Sequence, residues 1–192
     1  MRSLARAQRS RHEAPRTGWH THLPHGPEVE PYYDWLVHVG SLTERLRRRC
    51  AEFRVVLLRQ ELARPGDDER RILHLAHRDL AWVRDVLLLC GGRPVVFAHS
   101  VLPRSGLRGG WHLFAGLGAR PLGAILFTDP LVRRMPFAFN RLDPRHPLYH
   151  LAARAAGDPG GALWARRSAF LRRGKPILVT EVFLPEILGL RP

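Results

Sequence analysis

The segments WVRDVLL at residues 82–88 and LVTEVFL at residues 178–184 are strongly apolar runs that nevertheless carry charged side chains. Their β-branched and aromatic residues are typical of strands, in which successive side chains point to opposite faces of a sheet. Arg84 and Glu181 each lie within one run, with large apolar residues two positions away on the same face. Burial of a charge without a partner costs several kcal/mol, so each side chain needs an ion pair, a ligand or a shifted pKa.

Two interpretations of these charges remain open from the residues alone. In the first, Arg84 forms a buried salt bridge with Glu181, or with Asp85 at an edge of the sheet. In the second, the two strands form the floor of a cavity in which Arg84 binds a carboxylate through two hydrogen bonds. Glu181, with its pKa raised by burial, would then face a hydroxyl group or a reacting proton.

The rest of the chain predicts further strands joined by turns, with a few short helices. Two apolar runs flank Cys90-Gly91-Gly92-Arg93, which is a strong signal for a β-hairpin. Ser41 and Glu44 match a capping box that begins a helix ending near residue 51. Further strands are predicted at 53–60, 131–140 and 163–172, short helices at 31–39 and within 110–127, and an insertion with one helix at 141–162. The pattern predicts a single α+β domain, with an antiparallel sheet of about six strands and helices packed on one side.

Residues 1–28 differ from the rest of the chain in being rich in arginine, histidine and proline. They lack the apolar region of a secretory signal, and we interpret them as a basic, disordered arm before a domain at residues 29–192. His20, His22 and His25 could form a metal site with Glu28, but incidental histidines in a polar arm explain the pattern better. We therefore predict no metal site.

The composition narrows the classes of function. The 192 residues carry a formal net charge of +14, but 30 of the 31 basic residues are arginine, a skew that a GC-rich coding sequence explains better than selection for phosphate binding. We therefore expect no nucleic-acid partner. No apolar run is long enough to span a membrane. Cys50 and Cys90 have no close spacing, which fits unpaired thiols in a reducing, cytoplasmic compartment and excludes a zinc framework.

A series of short motifs resembles the chorismate pyruvate-lyases, the UbiC-type chorismate lyase family. The motifs are DWL at 34–36 followed by GSLTERL at 40–46, VRDV at 83–86, SVLP at 100–103, PLG at 121–123 with LF at 126–127, LWARRS at 163–168, GKP at 174–176 and TEVFLP at 180–185. Each motif is weak alone. Seven in the same order, over roughly residues 31–186, make the resemblance specific.

The resemblance implies an α+β domain with an enclosed site that converts chorismate to 4-hydroxybenzoate and pyruvate for ubiquinone biosynthesis, without metal or organic cofactor. By this resemblance Arg84 would hold the ring carboxylate, helped by the backbone at Leu42. Leu122 would line the site, and Glu181 would face the ring hydroxyl and handle proton transfer. Chorismate and its product would be the only partners, and we expect a monomer.

Some positions depart from the family pattern. Leu42 stands where one member of the family has methionine, a change that a backbone contact tolerates, and the segment 141–162 looks longer. His99 stands where an arginine is expected, which affects the predicted side chains at the entrance of the site. The second carboxylate of chorismate needs a cation of its own, for which Arg133, Arg134 and Lys175 are candidates.

A second class of function shares the expected fold. UTRA-type domains of transcription regulators bind small molecules without catalysis, and they normally follow a DNA-binding winged helix of roughly 60–70 residues. The arm at residues 1–28 is too short for such a module, and the presence of both Arg84 and Glu181 favours the enzyme.

Overall fold

The computed structural model describes residues 18–108 and 110–190. Its central feature is a hairpin of β2 (Ala81–Cys90) and β3 (Arg93–Pro103), which confirms the prediction from the Gly-Gly turn. Gly91 and Gly92 have φ angles of 56° and 78°, a left-handed conformation that glycine adopts without steric cost. The hairpin register then decides which side chains of the two strands share a face.

Seven antiparallel strands form one sheet in the described part of the chain. Their order is β1-β2-β3-β7-β6-β4, and β5 pairs with β6 beside this path. The remaining strands are β1 (Phe53–Ala63), β4 (Val132–Arg134), β5 (Ala138–Leu142), β6 (Leu163–Arg172) and β7 (Lys175–Phe183). The predicted strand at 131–140 is two strands because Pro136, which has no backbone N–H to donate, lies between β4 and β5. The α+β fold class is confirmed.

Six α-helices connect or cover the strands: α1 (Tyr33–Val37), α2 (Leu42–Arg49), α3 (Asp67–Ile72), α4 (Arg104–Leu107), α5 (Gly123–Thr128) and α6 (Pro147–Ala156). Short 3-10 helices occur at Glu30–Tyr32, His112–Phe114 and Pro185–Gly189. At the start of α2 the Ser41 hydroxyl accepts a hydrogen bond from the N–H of Glu44 at 3.3 Å. The Glu44 carboxylate contacts Arg48 instead of closing a capping box.

Helices pack on both faces of the sheet, whereas the sequence predicted one covered side. On one face lie α1, α2 and α5, together with a cavity. On the other face, apolar residues of α6 such as Leu148 and Ala152 pack against Leu87 and Phe97 of the hairpin. The insertion at 141–162 supplies α6, so the extra segment covers the side of the sheet that faces away from the cavity.

Cys50 and Cys90 form a disulfide, with their Cα atoms 5.4 Å apart. The prediction that the two cysteines are unpaired is therefore wrong. Antiparallel pairing of β1 with β2 sets Phe53 opposite Cys90 and brings Cys50, three residues earlier, beside it. A separation of 40 residues in the sequence gives no hint of this contact.

The predicted arm is only partly within the described residues, since positions 1–17 lie outside them. Its last part lies along the sheet: His20 exchanges two backbone hydrogen bonds with Phe139, at 2.8 and 2.7 Å. Across residues 18–108 and 110–190, no group of three or more His, Cys, Asp or Glu side chains is placed to hold a metal ion. None of the helices in that part is long and apolar enough to cross a membrane.

Candidate active site

A cavity that is partly open to solvent lies between the sheet and the segments around α2 and α5. Six strands contribute to its floor, four of them through two or more alternate residues, because cross-strand partners share a face. Most of the lining is apolar. The polar side chains that line it are Thr43, Arg84, Ser100, Arg134, Ser168 and Glu181. The structure therefore brings together Arg84 and Glu181, the two charges singled out by the sequence.

Arg84 is almost completely buried, with 2% of its surface exposed. Its Nε and Nη2 donate to the carbonyl of Gly118 at 3.1 and 2.9 Å, and Nη2 also donates to the carbonyl of Arg120 at 2.8 Å. Gly118 has a φ of 54°, which suits glycine and turns its carbonyl in a loop beside α5. These bonds fix the guanidinium and leave Nη1 for a ligand. Burial lowers the pKa of Arg84 to about 10, against a smaller opposing effect of Asp85.

Glu181 pairs with Arg166 and not with Arg84. The Nε of Arg166 donates to Glu181 Oε2 at 2.5 Å, because β6 and β7 are neighbours that set these residues opposite each other. Arg84 lies two strands away on β2, roughly 10 Å in backbone spacing. The interpretation of Arg84 and Glu181 as a mutual salt bridge is therefore wrong. Asp85 points to the other face, so an Arg84–Asp85 pair is absent too.

Arg166, the partner of Glu181, was not singled out from the sequence. It is 1% exposed, and its Nη1 donates to three carbonyls at the end of α1: Trp35 at 2.9 Å, Leu36 at 3.1 Å and His38 at 2.6 Å. The last carbonyls of a helix have no partner within the helix. Arg166 donates to these buried carbonyls, which would otherwise have no hydrogen-bond donor. The alternation in ARRSAF, which sets Arg166 on one face with Ser168 and Phe170, is the signal that could have found it.

Leu42 and Leu122 both line the cavity. Leu42 is the first residue of α2, where backbone N–H groups have no partner within the helix. The Ser41 hydroxyl satisfies the N–H of Glu44, but across the described residues the N–H groups of Leu42 and Thr43 have no protein acceptor. Two backbone donors at a helix N-terminus thus accompany an apolar wall, an arrangement that suits an anionic or hydroxyl oxygen.

Of the three candidates for a second cation, only Arg134 lines the cavity. It lies opposite Phe170, whose side chain faces the cavity, whereas Arg133 is exposed on the other side of β4. Lys175 is exposed at the β6–β7 turn. Burial lowers the pKa of Arg134 to about 10, with a further lowering by Arg166 and an opposing effect of Glu181.

His99 lies on the opposite face and not at the entrance of the cavity. Its Nδ1 is 2.5 Å from Asp85 Oδ1 and its Nε2 is 2.9 Å from Glu69 Oε1. Arg59 contacts the same aspartate at 2.7 Å. Burial alone would lower the pKa of His99, but the two carboxylates outweigh it and raise the pKa to about 10. His99 is therefore protonated at neutral pH and belongs to a buried ionic network.

Comparisons with known proteins identify the family of this chain. A model of the chorismate lyase family matches residues 27–189. A protein of Aromatoleum aromaticum named "Probable chorismate pyruvate-lyase" is 54% identical over 158 residues, covering 81% of this chain and 85% of the relative. A protein of the same name from Thiobacillus denitrificans is 52% identical over 171 residues, covering 89% and 90%.

Solved structures with the same fold are far more distant in sequence. A GntR-family transcriptional regulator from Bacillus cereus matches with a TM-score of 0.50 at 12% identity, over 71% of this chain and 94% of that one. The possible transcriptional regulator YydK from Bacillus subtilis matches with a TM-score of 0.50 at 12% identity, over 77% of this chain and 64% of that one. These likenesses bear on the fold alone. The family match and the sequence relatives, by contrast, span nearly the whole described domain, and the chain belongs to the chorismate lyase family.

Proposed function

We propose that this chain is a chorismate pyruvate-lyase, which eliminates pyruvate from chorismate to give 4-hydroxybenzoate, an aromatic precursor of ubiquinone. The observation that carries the proposal is the cavity in which a buried arginine and a glutamate approach from different strands. Membership of the family indicates chorismate as the substrate, and the cavity contains groups that match the chemistry of chorismate.

The substrate is a dianion with a cyclohexadiene ring, a 4-hydroxyl group and an enolpyruvyl ether at C3. In the reaction the C4–H bond and the C3–O ether bond break, and the ring gains the double bond that makes it aromatic. The departing enolpyruvate takes up a proton to become pyruvate. Because aromatisation drives the reaction, the protein needs chiefly to hold the ring, move one proton and exclude water. The proposal requires neither an oxidant nor a cofactor.

Arg84 would hold the ring carboxylate. Its Nη1 is available, and the carbonyls of Gly118 and Arg120 fix the orientation of the guanidinium. The free N–H groups at the start of α2 would add a contact from the backbone of Leu42, and Leu122 would close over the apolar ring. A hydrogen bond from arginine to a carboxylate is charge-assisted and therefore stronger than one between neutral groups.

Glu181 would face the ring hydroxyl and the departing ether oxygen. Its side chain is 18% exposed, so it reaches the cavity while Arg166 fixes one of its oxygens. The second oxygen has no partner among the described residues and is left to meet the substrate. This arrangement suits a group that accepts or returns one proton at C4 or at the ether oxygen. The proposal extends to a monomer in the cytoplasm, a compartment that would favour reduction of the Cys50–Cys90 bond.

Incubation of the purified protein with chorismate, without added metal, tests the proposal. We expect 4-hydroxybenzoate, followed by its absorbance, and an equal amount of pyruvate, followed by a coupled dehydrogenase. Folded protein that binds chorismate without turnover would contradict the proposal and favour a sensor domain.

The variant Glu181→Gln, which keeps the size of the side chain, tests the assigned role. We expect kcat to fall by about a hundredfold or more, the scale of a general acid–base contribution. The matched control is Glu61→Gln, an exposed change on β1 that should leave kcat unchanged. Unimpaired turnover by Glu181→Gln would remove Glu181 from the mechanism.

A further inference from the structure

The charges around the cavity do not balance within the protein. Arg84 and Arg134 line this space, and Glu181, which also lines it, is paired with Arg166 at 2.5 Å. In the described residues neither Arg84 nor Arg134 has a carboxylate oxygen within 4.0 Å. Two guanidinium groups therefore remain without a counter-charge in an apolar cavity. A ligand with two negative charges would match them.

The surroundings of Arg134 hold its guanidinium in place. Its Cζ lies 3.6 Å from the ring centroid of Phe137 and 5.3 Å from that of Phe170, which are cation–π distances. Nη1 donates to the carbonyl of Val39 at 2.8 Å. Nε is buried and has no hydrogen-bond partner among the described residues. A held, partly buried guanidinium with an unused donor is a site prepared for an acceptor.

The position of Arg134 separates it from the ring-binding end. Arg84 is on β2 and Arg134 is on β4, at opposite ends of a path of four strand spacings, roughly 19 Å along the sheet. Glu181, on β7, lies between them. A substrate anchored by one carboxylate at Arg84, with its reacting carbon near Glu181, would extend its 3-ether arm toward Arg134.

We infer that Arg134 binds the carboxylate on the enolpyruvyl arm, so that the cavity distinguishes the dianionic substrate from the monoanionic aromatic product. The inference rests on the proposed function. It assigns Arg134 to substrate affinity and not to product affinity, because 4-hydroxybenzoate has no carboxylate on that side. Once the ether bond breaks, Arg134 no longer contributes to holding the ring, which favours release of the product.

The variant Arg134→Gln tests the assignment, with Arg133→Gln as the matched control. Both changes remove one positive charge from β4, but Arg133 is exposed on the other side of the strand. We expect Arg134→Gln to raise KM for chorismate about tenfold to a hundredfold, the range of a lost hydrogen bond to a charged group. Its Kd for 4-hydroxybenzoate should stay within about twofold, and Arg133→Gln should change neither constant. An unchanged KM for chorismate, or an equal loss of binding for substrate and product, would overturn the inference.

A pair of unreactive ligands separates this inference from the proposed function. The probe 3-(carboxymethoxy)-4-hydroxybenzoate carries a second carboxylate on a 3-ether arm, and 3-ethoxy-4-hydroxybenzoate lacks it. Measured by calorimetry, Arg134→Gln should lower the affinity for the first ligand about tenfold or more and leave the affinity for the second unchanged. Absence of chorismate turnover by the unaltered protein would refute the proposed function, whereas equal effects on both ligands would refute only the role of Arg134. Arg134→Met, which retains an apolar contact with Phe170, repeats the test if the glutamine variant unfolds.

Discussion

Replacement of Arg166 by methionine should damage both the stability and the activity of the protein. Arg166 is 1% exposed and joins two parts of the site: its Nε holds Glu181, and its Nη1 holds three carbonyls at the end of α1. Methionine fills much of the same volume but donates no hydrogen bond. The variant therefore leaves a mostly buried carboxylate and three helix-end carbonyls without their donor.

The size of the effect follows from these contacts. Removal of one partner of a buried ion pair costs about 3–5 kcal/mol. Glu181 is 18% exposed and can recover part of its hydration, which favours the lower end of that range. The carbonyls that lose their donor increase the loss of stability, by about 1–3 kcal/mol for each one that water does not reach. We expect a loss of about 4 kcal/mol in the free energy of unfolding.

Urea denaturation of four proteins measures this loss: the unaltered chain, Arg166→Met, Glu181→Gln and the double variant. The two single losses should not add, and we expect a coupling energy above about 1 kcal/mol because each variant breaks the same contact. The exposed change Arg48→Met serves as a control and should cost under about 1 kcal/mol. A loss below 1 kcal/mol for Arg166→Met, with normal kcat/KM, would refute the view that this arginine positions Glu181.

Three further outcomes follow from the structure. Arg84→Ala should lower the affinity for 4-hydroxybenzoate, measured by calorimetry, at least about tenfold, and an unchanged affinity would exclude binding of the ring carboxylate by Arg84. Reduction of the Cys50–Cys90 disulfide should lower the free energy of unfolding by about 4 kcal/mol, judged from its loop length, and an unchanged urea midpoint would count against this. Because its two carboxylate neighbours raise the pKa of His99 from 6.5 to about 10, the stability it contributes is complete below pH 6.5 and declines as the pH rises through 10. A His99→Gln variant should lack that decline.

Alternation along the strands was enough to single out two charged side chains that line the cavity. With a period of two residues, Arg84 and Glu181 had to share a face with large apolar groups, and the structure shows both beside one cavity. The hairpin at Gly91-Gly92 was equally readable, since positive φ at both positions calls for glycine. Features of this kind depend on residues that are close together in the chain, so a single sequence is enough to predict them.

Features that depend on strand order and register could not be predicted from the sequence in the same way. The partner of Glu181 is Arg166 because β7 lies between β3 and β6, an order that does not follow the sequence. The disulfide depends on the pairing of β1 with β2. His99 was expected at the entrance of the site, and it faces away because its register partner is Asp85. Contacts between distant segments arise only once the whole sheet is assembled.

A crystal structure of the protein with 4-hydroxybenzoate is the most direct test of the claim that the cavity is the active site. We expect the ring in the cavity, its carboxylate within hydrogen-bond distance of Arg84 Nη1 and its hydroxyl oxygen near Glu181. Arg134 should have no contact with this ligand. Binding of the product anywhere outside this cavity would contradict the claim.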